Sequence, residues 1–236
     1  MIFRRRSKEP VEQLPAEQEA VPGDSLVDEA SAERPNGPWD RSETTRDDED
    51  PGYIDLGGLV VKGGPGTELR IQVDEKTSAV AAVMLAGPQS GLELRAFAAP
   101  RREGIWDDVR KDIAAEASKR GGTATEVDGE FGTELQIVVP VKTQDGRQGS
   151  QTSRVVGVEG PRWLLRGTFL GKAAVKPDPE GPVETAFRDV IVVRGAGPMA
   201  PRELIPLTMP PQVEAAREAA QQEAAANAAD ASEQES

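Results

Sequence analysis

The stretch TELRIQVDEKTSAVAAVMLAGPQSGLELRAF, residues 67–97, decides the fold class. Residues 67–73 alternate apolar side chains with charged or amide side chains, which predicts a strand with one covered face and one wet face. Residues 79–85 are apolar at nearly every position and predict a central strand, and residues 92–97 alternate again. Short turns separate the three strands, so the stretch predicts an antiparallel meander.

The segment after the meander has a helical period. Apolar side chains recur three and four residues apart between Ile105 and Ala117, which predicts an amphipathic helix over residues 104–119. Gly121 and Gly122 follow the predicted last turn, where glycine commonly ends a helix. We expect the apolar stripe of this helix to cover the sheet.

The rest of the domain completes an α+β plan. The remaining elements are strands over residues 123–127, 131–141, 152–158, 162–170 and 190–193 and a short helix over residues 183–188. Residues 159–161 turn the last hairpin, and a turn with an even number of residues puts Arg154 on the face of Trp163. The predicted fold is a largely antiparallel sheet, a meander plus a hairpin, covered by one long amphipathic helix and a short second helix.

Charge divides the chain of 236 residues into three parts. Residues 1–52 carry 7 basic and 14 acidic side chains among six prolines, and residues 211–236, rich in Ala, Glu and Gln, carry 1 and 6. Neither end has enough large apolar side chains to offset the entropy of ordering, so we predict disordered tails, the second with fraying helix. Residues 53–210 carry 20 basic and 21 acidic side chains and are predicted to form a single domain.

The first residues are basic, with Arg4, Arg5, Arg6 and Lys8. A signal peptide needs about 7–15 apolar residues after such charges, and the chain continues with Glu9 instead. No window approaches the roughly 18–20 apolar residues of a membrane span. We predict a cytoplasmic protein with a solvated basic start; contact of the four cations with an anionic membrane surface is the weaker alternative.

The chain contains no cysteine and no histidine. Their absence excludes a disulfide frame, a thiolate nucleophile, a Ser–His pair and the usual zinc sites. Carboxylates and carbonyls can still bind hard cations such as Mg²⁺, but no spacing in the sequence marks such a site. We therefore assign no catalytic residue, no metal ligand and no cofactor.

The glycine-rich stretch GGLVVKGGPG, residues 57–66, is the nearest approach to a phosphate-binding loop. A Walker motif needs Lys and then Ser or Thr after its second glycine, and Gly64 and Pro65 occupy those positions when the count starts at Gly58. The stretch also precedes a strand, whereas a phosphate cradle opens a helix. We interpret it as a flexible loop that leads into the domain.

Five arginines lie near the ends and faces of the C-terminal strands: Arg154, Arg162, Arg166, Arg188 and Arg194. Arginine recognises carboxylate and phosphate groups bidentately, so a cluster of them would form an anion site. The alternative is that they are solvated or paired surface groups. Arg154 is a candidate to stack on the indole of Trp163, unless the strand leaves the sheet there. Trp163 itself is a candidate for an interaction surface.

Five segments of the middle of the chain resemble an uncharacterised actinobacterial family catalogued as a domain of unknown function: residues 66–75, 92–114, 160–173, 187–195 and 200–210. This resemblance implies no activity and no site residue. The order of a meander, a Trp-bearing helix and a Trp-Leu-Leu-Arg strand followed by a short helix is also similar to small α/β/α sandwich domains of the Mog1/PsbP type. That second resemblance implies the binding of partners.

Two functional hypotheses follow. The first is an uncharacterised cytosolic protein that acts as a non-enzymatic protein-interaction or regulatory module with an unknown protein partner, because no catalytic motif is complete. The second is a small-anion or nucleotide-handling protein, with enzymatic activity left open, that uses the clustered arginines. A nearly neutral middle and acidic ends offer no broad positive footprint for nucleic acid.

Overall fold

The protein has mixed α and β structure in which strands dominate. The computed structural model describes residues 34, 36–63, 65–73, 80–102, 104–142 and 146–210. The elements are β1 (Trp39–Asp40), α1 (Arg46–Glu49), β2 (Tyr53–Asp55), β3 (Leu59–Lys62), β4 (Glu68–Val73), β5 (Val80–Ala86), β6 (Ser90–Ala98), α2 (Trp106–Lys119), β7 (Thr123–Gly129), β8 (Gly132–Lys142), β9 (Gln148–Gly160), β10 (Trp163–Gly171), α3 (Lys172–Val175), α4 (Pro182–Arg188) and β11 (Ile191–Val192). None of the described helices is long and apolar enough to cross a membrane.

The larger sheet has seven strands in the order β4-β5-β6-β10-β9-β8-β7. Every neighbouring pair in it is antiparallel. The meander of β4, β5 and β6 and the hairpin of β9 and β10 both form, so the prediction of a largely antiparallel sheet is confirmed. The period-two alternation of β4 and β6 gives each strand an apolar face, and these faces lie on the same side of the sheet.

The hairpin between β9 and β10 turns on two residues, Pro161 and Arg162, and Arg162 has a φ of 61°. Because two is an even number, side chains opposite each other across the turn stay on one face. Arg154 pairs with Phe169 in this register, and both lie on the face that carries Trp163. The hairpin therefore brings a guanidinium onto an otherwise apolar face.

A second sheet, in the order β1-β11-β3-β2, packs on the first one, and the sequence did not predict it. Its strand β3 lies inside the glycine-rich stretch, so the interpretation of residues 57–66 as a flexible loop is wrong for residues 59–62. Leu59, Val60 and Val61 are fully buried. A Cβ at Gly58 would lie 2.6 Å from both Ile205 and the carbonyl oxygen of Pro206, so glycine there lets the closing segment approach the sheet.

Residues 36–52 differ from the tail that the sequence predicted. Strand β1 pairs in parallel with β11, and the indole Nε1 of Trp163 donates a hydrogen bond to Asp40 Oδ2 at 2.7 Å. The Arg34 guanidinium lies over the Trp163 ring, 4.8 Å from its centroid. Predicted disorder over residues 1–33 and 211–236, including the basic residues at positions 4–8, falls outside the described residues.

The two faces of the larger sheet are covered differently. On one face, the small sheet and α4 pack on apolar side chains of β4, β5, β6, β9 and β10. On the other, α2 packs across β7, β8 and β9, and its Trp106 indole donates to the Thr133 carbonyl at 2.8 Å. Helix α2 therefore covers one face of strands β7 and β8 and leaves their other face uncovered by it.

Candidate functional site

A buried ion cluster lies where β8, β9 and α4 meet. Arg154 Nη1 donates to Glu134 Oε2 at 3.2 Å, Nη2 donates to Glu184 Oε1 at 3.0 Å, and Nε donates to the Ala173 carbonyl at 3.1 Å. The Arg154 side chain is 5% exposed and each glutamate side chain is 2% exposed. The guanidinium carbon lies 4.0 Å from the centroid of the Phe169 ring. Three of the five N–H groups of the guanidinium thereby donate hydrogen bonds, and the group also contacts the Phe169 ring.

The cluster contains two carboxyl groups for one cation, which is costly at this depth. Burial raises the pKa of Glu184 above its usual value, although the amide of Asp178 and the charge of Arg154 act in the opposite direction. Glu134 Oε1 is buried and has no hydrogen-bond partner. A proton shared by the cluster would remove the surplus charge.

A cavity of about 250 Å³ adjoins the cluster. Glu184 is one of its lining residues, together with the β5–β6 turn and residues of α3 and of the loop before α4; the lining includes Gln89, Ser90, Lys172, Lys176, Asp178 and Val183. It therefore presents two ammonium groups, carboxylates and an apolar wall. No group of three His, Cys, Asp or Glu side chains within the described ranges is placed to hold a metal ion.

The predicted stacking of Arg154 on Trp163 is corrected by the structure. Arg154 stacks on Phe169, and Arg34 occupies the position over Trp163. Trp163 is fully buried, so its side chain is not on the surface where the sequence analysis placed it as an interaction candidate. The reason is that Arg34 and Asp40 contact this indole, whereas composition had predicted a disordered tail over residues 1–52.

The other four arginines lie at three places, because Arg162 and Arg194 are near each other. Arg188 pairs with Glu130 at 2.7 Å. Arg162 donates to the Gly195 carbonyl and Arg194 to the Gly197 carbonyl. Burial lowers the pKa of Arg194, and the charge of Arg162 lowers it further, so these two are close enough to interact. Arg166 lies on the opposite face of β10 from Trp163, against Phe97.

Strands β7 and β8 present an exposed surface on the side away from α2, which we call the open face. It consists of Thr123, Thr125, Val127, Gln136, Val138 and Pro140. Ser150 and Thr152 of β9 extend it. Val127 and Val138 are each 36% exposed. Lys142 follows Pro140 on the same face at the end of β8 and is the one exposed charged side chain that the described residues of these two strands place there. The buried ion cluster lies at one end of this face, because Gln136 pairs with Arg154 across the strands.

Comparison with protein families gives a match over more than half of the chain. The sequence profile of a family described as a protein of unknown function (DUF3710) matches residues 37–216. The chain belongs to this family. No curated protein matches the sequence significantly. The DUF3710 match begins at Gly37 and therefore includes β1 and α1, in agreement with the packing of residues 36–52 on the domain.

Sequence reasoning missed the two glutamates of the ion cluster in this DUF3710 domain. Glu134 occupies a strand position whose neighbours in the alternation, such as Gln136, are polar, so the pattern predicts exposure there. Glu184 lies in the first turn of α4, where an acidic residue is expected for the helix dipole alone. Burial of either side chain depends on contacts between β8 and α4, which no local pattern encodes.

Proposed function

We propose that this DUF3710 protein is a non-enzymatic protein-interaction module whose open face receives an amphipathic helix of a partner protein. The observation that carries the proposal is an exposed sheet surface of β7 and β8 with two exposed valines, whose exposed charge is confined to Lys142 at the end of β8. Charged side chains are usual on the solvated face of a sheet. A partly apolar sheet face with little charge is typical of a surface that another element covers.

Helix α2 shows what fits on these strands. It runs 14 residues and packs across β7, β8 and β9 from the other side, against Leu135, Ile137 and Val139. The open face belongs to the same strands and has the same width, so a helix of similar length matches it in size. Association through the apolar face of an amphipathic helix is a common mode of protein recognition.

The low charge of the open face also indicates the kind of helix. Away from Lys142, a charged partner side chain would lose its hydration on the open face without gaining an ion pair. Small apolar and hydroxyl-bearing side chains pack on Thr123, Thr125 and Val138 without that cost. The partner helix that we propose therefore has a charge-free stripe of small or medium apolar residues.

The contacts of the candidate arginines bear on the second hypothesis, a protein that handles small anions or nucleotides. Arg154, Arg162, Arg188 and Arg194 are hydrogen-bonded to carboxylates or carbonyls of the described chain, which favours structural roles for them over the shared anion clamp of the second hypothesis. We propose a cytoplasmic location, for which a chain without cysteine is well suited.

A capture experiment with matched variants tests the proposal. The full chain, Val138→Lys and Gln72→Lys are used as bait in an extract of the source cells; Gln72 is exposed on the other face and at the other edge of the sheet. We expect one protein whose capture falls at least about tenfold with Val138→Lys and is unchanged with Gln72→Lys. A synthetic peptide of the segment through which the captured protein contacts the open face should compete with that protein for binding. The peptide should become helical when it binds. Equal capture by both variants, or competition by residues 211–229 of this chain instead, would overturn the proposal.

A further inference from the structure

Arg166 is a guanidinium that lacks a partner in the described structure. It forms no ion pair and no hydrogen bond with any described residue, and its Nε is buried without a partner. The other four candidate arginines each donate a hydrogen bond to a carboxylate or a carbonyl; they are Arg154, Arg162, Arg188 and Arg194. A partly buried cation without an anion is costly in free energy, which makes Arg166 an unusual residue in this fold.

The surroundings of Arg166 raise that cost. It pairs directly across β6 and β10 with Arg95, a second cation, whose charge is offset by Glu93 at 2.8 Å. Burial lowers the pKa of Arg166, and the charge of Arg95 lowers it further, whereas the charge of Glu93 acts in the opposite direction. An anion placed on Arg166 would relieve both effects.

A cavity of about 260 Å³ lies in front of this guanidinium, between the larger sheet and α2. Phe97, Val109 and Ile113 form its apolar wall, and Asp112, Glu116 and Arg202 complete the lining. The guanidinium carbon of Arg166 lies 5.4 Å from the Phe97 ring centroid. The volume is somewhat below the roughly 300–1,000 Å³ of pockets for drug-sized ligands, so it suits a small metabolite.

The charges of the lining limit the ligand to a monoanion. Asp112 is paired with Arg202 at 2.8 Å, and Glu116 with Lys119 at 3.9 Å. Arg202 holds a φ of 68°, and this turn lets it reach α2. With these pairs formed, Arg166 is the one cation of the lining without a partner among the described residues. A dianion would meet the two carboxylates at the rim.

We propose that this cavity, the Arg166 pocket, binds a small organic monocarboxylate with an apolar body. The carboxylate lies on the Arg166 guanidinium in the bidentate geometry that these two groups favour. The apolar body packs on Phe97, Val109 and Ile113. This site lies on the α2 side of the sheet, apart from the open face, and does not depend on the proposed partner helix.

Phenylacetate and hexanoate are the probes that test the pocket, titrated into the full chain by calorimetry and by two-dimensional NMR. We expect saturable binding below about 1 mM and amide shifts at Phe97, Ile113 and Arg202. The neutral analogue phenylacetamide and the dianion phenyl phosphate should each bind at least about tenfold more weakly.

Two variants locate the binding. Arg166→Gln should raise the dissociation constant at least about tenfold, whereas Arg70→Gln, at an exposed arginine of β4, should leave it unchanged. Circular dichroism and thermal unfolding check that both variants fold. Absence of saturation by both carboxylates up to about 10 mM, equal affinity in Arg166→Gln, or equal binding of phenylacetamide would overturn the proposal.

Discussion

At the scale of single residues, the buried cluster of Arg154, Glu134 and Glu184 has the largest energetic consequences. Removing one partner of a buried ion group leaves uncompensated charge, while replacing the whole group is much less costly. All three side chains are at most 5% exposed, so the charges have little access to water beyond the cavity that Glu184 lines. Mutations here separate the effect of charge from the effect of packing.

Loss of the cation alone is expected to destabilise the domain severely. Arg154→Met should lower the free energy of unfolding by about 3–5 kcal/mol, because two carboxyl groups then remain buried without a cation. Adding Glu134→Gln and Glu184→Gln to Arg154→Met should recover most of the loss. Urea denaturation of the single and triple variants measures both values. A triple variant that is less stable than Arg154→Met would contradict the charge argument.

The raised pKa of Glu184 predicts a particular pH dependence. A carboxyl whose pKa is higher in the folded state than the unfolded value of 4.5 stabilises the fold below that value. This contribution is lost as the pH rises through the folded pKa. The stability of the wild type relative to Glu184→Gln should therefore fall as the pH rises above about 4.5. Denaturation curves at several pH values measure it, with the exposed Glu180→Gln as control; a difference that rises with pH is the contrary result.

At the scale of elements, α2 is attached to the sheet through its first turn. Glu159 Oε1 accepts hydrogen bonds from the amides of Ile105 and Trp106, the second at 3.0 Å. The Trp106 ring lies against Gly157, where a Cβ would approach it to 2.3 Å. A carboxylate of β9 thus satisfies amides that the start of a helix leaves without partners.

Glu159→Ala should consequently lower the free energy of unfolding by about 1–2 kcal/mol, since those amides lose a charged acceptor. Glu159→Gln keeps an oxygen acceptor and should lose less than half as much. Urea denaturation gives the two values, and hydrogen exchange should show faster exchange at the first turn of α2 in Glu159→Ala. Equal stability of Glu159→Ala and the wild type would exclude this role.

The meander was predictable from sequence because its strands neighbour each other and alternate with period two. The small sheet was not, since β1 and β11 have two residues each and pair across about 150 positions of the chain. The contacts of Arg34 and Asp40 with Trp163 were not predictable for the same reason, because they also join distant parts of the chain. The candidate arginines could be found by type and position, but their partners depend on packing between distant elements.

At the scale of the whole molecule, the segment before β2 belongs to the folded unit. It supplies β1, the acceptor for the Trp163 indole and the cation over that ring. The domain boundary that composition favours, after residue 52, removes all three contacts. Trp163 is fully buried, so its N–H would lose its acceptor and its ring would lose its cover.

Two truncations test where the folded unit begins. A chain that starts at residue 53 should melt about 4–8 °C below the full chain, because it loses these contacts. A chain that starts at residue 34 keeps them and should melt within about 2 °C of the full chain. Calorimetry of the two truncations measures the difference. Equal melting temperatures would place the boundary after residue 52.

Photo-crosslinking from position 138 tests whether the open face is a docking surface for a partner helix. A photoreactive side chain replaces Val138 in one full-length protein and Gln72 in a control, and both are irradiated in an extract of the source cells. We expect a single cross-linked protein from position 138, attached through an amphipathic helical segment, and no such product from position 72. Equal products from both positions, no product from position 138, or attachment only to residues of another copy of this chain would contradict it.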